Sequence, residues 1–416
     1  MILEKYLKKN NTNFRQVHLI SGIPETTVRN INNREISKWN IEYFEAIAQT
    51  VGKNKFVVMK ELEELIAEID LQKRTENGQI SGRYNLENRR YIGSKSKLLN
   101  WINKLIVENT KGSTFFDVFA GTGVVTKEML PNYSKFILND FLFSNNIIFK
   151  AFFGTEVYDG DKILKYEKKF QLIKDNVDDD DYFVDNYGGK FFSKHDAKII
   201  GEIRTQIENS QKLNDREKAI LIASLIYSAD KIANTVGHYD AYRKKEHIQD
   251  KFLFELITPL NVVGKDIEIY RKDANELVRK IHADVAFVDP PYNSRQYSRF
   301  YHVLEGITKW DKPPLEGVAM KPPAENMSEY SKANAPKVFD DLIKNLNVNY
   351  IVVTYNNTYA SKSSSSRNKI THEEILSTLN SVGKTQIFEV PFQFFNAGKT
   401  NLKDHKEFIF ITEVMK

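Results

Sequence analysis

The sequence predicts an α/β protein with a Rossmann-like sheet at its centre, and three segments carry that expectation. Phe115-Phe116-Asp117-Val118-Phe119 is an apolar run that enters Ala120-Gly121-Thr122-Gly123 and then a helical pattern from about Val124. Lys135-Phe136-Ile137-Leu138 is a second buried-strand pattern, ending in Asn139-Asp140. Asp284-Val285-Ala286-Phe287-Val288 is a third, leading straight into Asp289-Pro290-Pro291-Tyr292. Short apolar runs bounded by turn signals suit strands buried on both faces. Open sheets of this kind bind ligands beyond the C-terminal ends of their strands, where all three runs place polar or glycine residues.

Each strand end suggests chemistry. Glycines after the first strand allow backbone angles closed to other residues and let a ligand approach the main chain. Asp140, roughly 20 residues beyond the turn, is placed to hydrogen-bond a ribose hydroxyl. The chain has no G-x-G-x-x-G and no G-x-x-x-x-G-K-[ST], which weakens dinucleotide and nucleoside-triphosphate readings. At the third strand Asp289 can accept a hydrogen bond from an exocyclic amine. The two prolines fix nearby carbonyls, and Tyr292 offers a stacking face for a flat base.

In this order the motifs resemble the S-adenosylmethionine-dependent DNA adenine-N6 methyltransferases, the Dam-like D12 class. Arg90-Tyr91-Ile92-Gly93-Ser94-Lys95 is similar to the leading motif that meets the methionine end of the cofactor. Phe119-Ala120-Gly121-Thr122-Gly123 is similar to the F-x-G-x-G loop, and Asp273-Ala274 to the short motif at the cofactor's adenine ring. Asp289 to Tyr292 matches the D-P-P-Y catalytic motif. The resemblance spans roughly residues 88 to 416. It implies a class I methyltransferase fold with a mixed seven-stranded sheet, and S-adenosylmethionine as cofactor. The implied cofactor residues are Tyr91, Lys95, Asp117, Phe119, Gly121, Gly123, Asp140, Asp273 and Ala274; the implied catalytic residues are Asp289, Pro290, Pro291 and Tyr292.

Along the chain, residues 1–72 are expected to form a separate helical unit. Phe14 to Ile20 fits a helix, Ser21-Gly22-Ile23 a turn, and Pro24 to Asn30 a second helix, with Pro24 suited to a first helical turn. Asn40 to Val51 carries Ile41, Phe44, Ile47, Ala48 and Val51 at helical spacing. The segment resembles the Cro/repressor-like helix-turn-helix, which implies DNA contact through Thr26, Thr27, Arg29 and Asn30; a bundle that only packs or dimerises has the same pattern. Residues 73–88 are polar and suggest a linker. Residues 89–140 and 266–416 are expected to form the catalytic domain, and 141–265 a helical insertion too long for an ordinary connection. In the resembled family this insertion reads the target, and Tyr239, Tyr242 and Arg243 mix rings and charge suited to DNA. Arg295 and Tyr297, beyond the catalytic motif, are candidates for the same contact. His302 is expected to pack or hydrogen-bond, and Asp178 to Asp181 to form a solvated acidic loop. Lys312 to Pro336 suggests a mobile loop. Tyr350 to Tyr355, Gln386 to Val390 and Glu407 to Thr412 are further strands, and Thr371 with Glu374 forms a capping box.

Composition narrows the chemistry. The 416 residues include no cysteine, which excludes disulfide scaffolds, thiolate metal sites and the covalent thiol of cytosine-C5 methylation. No metal ligand spacing is seen. A net charge of +5 and a pI near 8.8 agree with a polyanionic partner. The expectation is therefore a cytoplasmic, monomeric enzyme with no membrane segment, acting on double-stranded DNA. Its role would be modification in a type II restriction–modification system, with any restriction endonuclease a separate chain. The alternatives are an orphan regulatory methylase, a helix-turn-helix repressor on a methylase fold, an RNA base methyltransferase, and cytosine-N4 transfer, which usually goes with S-P-P-Y.

Overall fold

The computed structural model describes residues 2–34, 36–74, 80–173, 181–244, 247–291, 293–357, 367–391 and 406–415. Tyr292, most of the Asp178 to Asp181 loop and the serine run at 363–366 lie outside them. The chain divides into two compact units, Met1–Ile80 and Ser81–Lys416.

The first unit is helical: α1 (Ile2–Lys9), α2 (Phe14–Ser21), α3 (Glu25–Ile31), α4 (Ile41–Val51) and α5 (Lys55–Arg74). Its core gathers Leu3, Leu7, Val17, Val28, Phe44, Ile47, Val58 and Leu62. Asn13 caps α2 by accepting from the Gln16 amide at 3.1 Å, and Gly22 ends it at φ +74. Pro24 occupies the N-cap position of α3, one residue earlier than expected. Ile41 faces outward, since it begins α4 before the helix meets its neighbours. The amphipathic α1 was not anticipated.

The second unit is built on seven strands: β1 (Thr114–Asp117), β2 (Lys135–Asn139), β3 (Asp266–Tyr270), β4 (Val285–Val288), β5 (Tyr350–Asn356), β6 (Gly383–Pro391) and β7 (Lys406–Val414). They lie in the order β3-β2-β1-β4-β5-β7-β6. Only β7 runs against its neighbours. The order reverses between β1 and β4, so connections leave that point in opposite directions and open a crevice above it. Helices α6 (Leu99–Asn109), α7 (Val124–Met129) and α8 (Phe143–Phe153) follow in the first half. On one face Phe116, Ala286, Val288, Ile351 and Val353 form a core with Phe339, Leu342 and Ile343.

The insertion contains α9 (Gly160–Gln171), α10 (Tyr182–Tyr187), α11 (Lys194–Asn209) and α12 (Asp215–Ile232). Helix α12 is buried from Arg216 to Asp230 apart from Lys218, which makes it the insertion's central post. Asn214 and Glu217 start it with a reciprocal capping box. Later helices are α13 (Ala274–Val278), α14 (Tyr297–Phe300), α15 (His302–Lys309), α16 (Ala335–Asn345) and α17 (His372–Asn380). Thr371 and Glu374 form the expected capping box on α17. No helix among the described residues is long and apolar enough to cross a membrane.

Residues 81–88 are packed rather than free. The amides of Arg83 and Tyr84 donate to Leu256 O at 2.8 and 3.1 Å, and Thr258 N returns a bond to Tyr84 O at 2.8 Å. Leu86 is fully buried. Gly82 lies so close that an added Cβ would sit 2.3 Å from the carbonyl oxygens of Leu256 and Ile257. Gly82→Ala is therefore expected to lower unfolding free energy by about 1–3 kcal/mol in denaturant titration. A loss below about 0.5 kcal/mol would contradict this docking.

Candidate active site

One cleft at the C-terminal ends of β1, β2 and β4 brings most of the expected site residues together. It is an open cleft of about 1050 Å³, the solvent at its mouth included. Tyr91, Lys95, Asp117, Phe119, Gly121, Asp140, Asp273, Ala274, Asp289, Pro290 and Pro291 all line it.

The turn after β1 forms its floor. Gly121 adopts φ +54, and its amide donates to Asp140 Oδ2 at 3.0 Å. Asp140 Oδ1 accepts from the Leu142 amide at 2.9 Å, so the acid at the end of β2 fixes both the glycine turn and the chain beyond it. Burial pushes its carboxyl up, and these hydrogen bonds oppose that. Gly123, expected to meet a cofactor, does not line the cleft. It adopts φ +77 at the N-cap of α7, where a Cβ would lie 3.1 Å from the Phe153 ring and 3.2 Å from Phe149. Its task is close helix packing.

Asp117 is buried at the end of β1. One oxygen accepts from Thr126 Oγ1 at 2.7 Å, while Oδ1 has no hydrogen-bond partner among the described residues. Burial pushes its pKa up to about 7. A buried acceptor without a donor, facing a cleft, fits a ligand that brings its own N–H or O–H groups. Asn326, on the same cleft, has its Nδ2 buried without a hydrogen-bond partner among the described residues, on a backbone held at φ +50. Strained backbone of this kind is retained where the surroundings impose it.

The leading motif is held by aromatic stacking. Tyr91 stacks on Tyr301 at 4.9 Å and on Tyr297 at 5.2 Å. The Arg89 guanidinium lies 5.0 Å from the Tyr91 ring. Tyr301 Oη accepts from the Ile92 amide at 2.9 Å, and Tyr297 Oη donates to Ile92 O at 3.1 Å. Tyr297, a candidate DNA contact, thus belongs to the cleft wall. On the far side Asp273 caps α13 by accepting from Glu276 N at 3.2 Å.

The catalytic-motif corner follows β4. Lys95 Nζ donates to both oxygens of Asp289, at 2.8 and 2.7 Å, and Thr354 Oγ1 on β5 donates to Asp289 Oδ1 at 2.7 Å. The Lys95 side chain is only 6% exposed. An ammonium this buried needs its counter-charge, so the leading motif and the corner are locked together.

The segment expected to be a mobile loop is a wall of the cleft. Tyr330 packs edge-on against Phe119 at 5.0 Å. Gln296 bonds both ways with Ser328, at 2.9 and 2.8 Å. His302 is buried with its ring nitrogens 3.0 and 2.8 Å from the carbonyls of Arg299 and Ala319, and burial pushes its pKa down to about 4. These bonds were invisible in a proline-rich stretch because each uses a side chain from elsewhere.

The remaining DNA candidates divide. Tyr239 is 0% exposed and donates to Asp230 Oδ1 at 3.0 Å, so it is an interior residue and cannot reach DNA. Tyr242 is half-buried against the Phe191 ring, and Arg243 is exposed. Arg295 is half-buried, 6.0 Å from the Phe300 ring. In the first unit Thr26, Arg29 and Asn30 are exposed and Thr27 half-buried; Arg29 is drawn back to Glu25 at 2.6 Å.

Residues 91–362 match the family described as D12 class N6 adenine-specific DNA methyltransferase. The chain is 28% identical to Type II methyltransferase M.NlaIII of Neisseria lactamica over 330 residues, covering 76% of this chain and 95% of that protein. It is 34% identical to modification methylase LlaI of Lactococcus lactis subsp. lactis over 290 residues, 64% of this chain and 46% of that protein. It is 35% identical to modification methylase StsI of Streptococcus sanguinis over 290 residues, 64% of this chain and 44% of that protein. The chain thus spans nearly all of the first relative and less than half of the other two. With the family match covering more than half of the chain, on the residues that form the cleft, the protein belongs to the D12 class of N6 adenine-specific DNA methyltransferases.

Proposed function

We propose that the protein transfers a methyl group from S-adenosylmethionine to N6 of one adenine in a specific double-stranded DNA site, as the modification enzyme of a type II restriction–modification system. The observation that carries this reading is the meeting of the Asp289-Pro290-Pro291 corner and the cofactor-motif residues in one cleft. The relatives' printed names support the restriction–modification role. Any endonuclease would be a separate chain, and the enzyme would act as a monomer.

S-adenosylmethionine supplies the methyl group as the electrophilic carbon of a sulfonium. Asp140, Asp273 and the Gly121 turn would hold its nucleoside, and Asp117 Oδ1 would accept from one of its donors. An adenine inside a duplex cannot reach this cleft, so the base must be extruded. Its N6 lone pair is conjugated into the ring and weakly nucleophilic. Asp289 and the Pro290 carbonyl would accept the two amine hydrogens and draw the nitrogen towards tetrahedral geometry. Tyr292, from the motif resemblance, would stack on the ring. The acceleration then comes from orientation and fixed dipoles rather than from a covalent intermediate.

The first unit supports a second role beside this one. Helices α2 and α3, joined through Gly22-Ile23-Pro24, expose Thr26, Arg29 and Asn30 along α3. We read them as a helix-turn-helix that contacts DNA, either to restrain the enzyme's own operon or to assist target binding.

Labelled S-adenosylmethionine with unmethylated genomic DNA should yield N6-methyladenine, and Asp289→Ala should lower the rate by at least about 10²-fold. Label in N4-methylcytosine would overturn the base assignment, and no label in DNA would favour an RNA substrate or a repressor. Thr26→Ala with Asn30→Ala in the full chain should abolish specific retention of upstream operon DNA and leave methylation at other sites within about twofold. Unchanged retention would remove the helix-turn-helix reading.

A further inference from the structure

A second acid lies beside the Lys95–Asp289 pair and has no part in the mechanism above. Glu407 is the second residue of β7 and pairs in register with Asn356 on β5. Directly opposed residues share a face, and so do residues two apart on a strand. Glu407, Asn356 and Thr354 therefore lie in line on one face of the sheet, and Thr354 is the residue that donates to Asp289. Glu407 is 6% exposed. One oxygen accepts from the Asn356 carboxamide, and Oε2 has no hydrogen-bond partner among the described residues.

Among the described residues, the charged groups that act on Glu407 from the packed elements are Lys95 and Asp289. Its neighbour Lys406 points to the opposite face of β7 and is paired with Glu389 at 2.6 Å. An ionisable acid kept in the interior with one oxygen bare is costly unless a cation comes to it. Lys95 is the cation at hand, and it is committed to both Asp289 oxygens. That commitment conflicts with the task assigned to Asp289. A carboxylate gripped twice by an ammonium is a weak acceptor for an incoming amine.

We propose that Glu407 is a positioning residue that receives part of the Lys95 ammonium when the target amine takes its place on Asp289. The inference rests on the adenine-N6 reading above. It involves an exchange of hydrogen bonds and no covalent step: Lys95 turns one N–H from an Asp289 oxygen to Glu407 Oε2, and the amine N–H occupies the oxygen released. Lys95 stays charged and bonded throughout. The ionised form of Glu407 holds the ammonium far more strongly than the neutral acid does. Burial and the Asp289 charge push its pKa up to about 7, so carboxylate prevails above that pH. Transfer should rise with pH through this region as Glu407 ionises.

The test is single-turnover methyl transfer with S-adenosylmethionine and DNA, run from pH 6 to 9 on wild type, Glu407→Gln and Glu407→Asp. Glu407→Gln preserves shape and removes charge. It should slow the chemical step about tenfold at pH 8, a barrier increase of about 1.4 kcal/mol. It should also flatten the rise near pH 7 and leave the KM for S-adenosylmethionine within about twofold. Glu407→Asp keeps the charge one methylene further away and should retain the rise with an intermediate rate. A Glu407→Gln enzyme with wild-type rate and pH profile would overturn the proposal. So would a slower enzyme whose pH profile keeps the wild-type limb, because that pattern marks a purely structural acid. Absence of N6-methyladenine with wild type would instead remove the underlying reading.

Discussion

The ion pair between the buried Lys95 and the half-buried Asp289 is the constraint on which the cleft depends. It joins residues 194 apart in sequence, one on the segment before α6 and the other at the end of β4. The Lys95 ammonium must leave water to meet Asp289, and is not tolerable there without its counter-charge. Thr354 adds a third tie from β5, so the corner is fixed from the neighbouring strand as well. The leading motif is thereby folded over the strand ends instead of running past them. Everything that lines the near wall, from Tyr91 to the tyrosines of α14 and the start of α15, is stacked on that placement.

A second constraint sets the opposite wall. Asp140 bonds the Gly121 turn and the Leu142 amide together, so β1 and β2 end at a common height. Glu305 on α15 then accepts from Phe143 and Ser144 at the start of α8, at 3.0 and 2.8 Å. The helix after the Asp289-Pro290-Pro291 corner is in this way tied to the helix after Asp140. The two halves of the cleft meet through carboxylates bonded to backbone, which hold position more firmly than long surface pairs. Orphaned polar atoms on Asp117 and Asn326 remain on the inner surface, as expected of a site shaped for something polar.

Much of this was legible in the sequence because its signals are local. The buried strands β1, β2, β4 and β5 are short apolar runs with polar ends, and the family motifs stand at those ends. The edge strand β3 escaped notice since Asp266-Ile267-Glu268-Ile269-Tyr270 alternates with mixed polarity and is only half covered. Tyr239 misled for the reverse reason: its neighbours are polar, yet Asp230 on α12 supplies a partner that lets the ring go inside. Residues 81–88 and the 312–336 segment look like free chain because their bonds run to Leu256, Thr258, Gln296 and His302, distant in sequence. Gly123 sits within the glycine motif, but its packing against Phe149 and Phe153 depends on where α8 lands. Glu407 resembles any charged residue at the start of a strand until β7 is placed beside β5.

The most direct test of this account is a double-mutant cycle on unfolding free energy with Lys95→Met and Asp289→Asn. If the pair organises the cleft, Asp289→Asn strands the buried ammonium and costs about 3 kcal/mol, and Lys95→Met leaves the half-buried carboxylate without its cation at a similar cost. The double variant should then lose at least about 2 kcal/mol less than the sum. Additive losses, within about 0.5 kcal/mol, would mean that Lys95 and Asp289 are independent and that the cleft is held by something else.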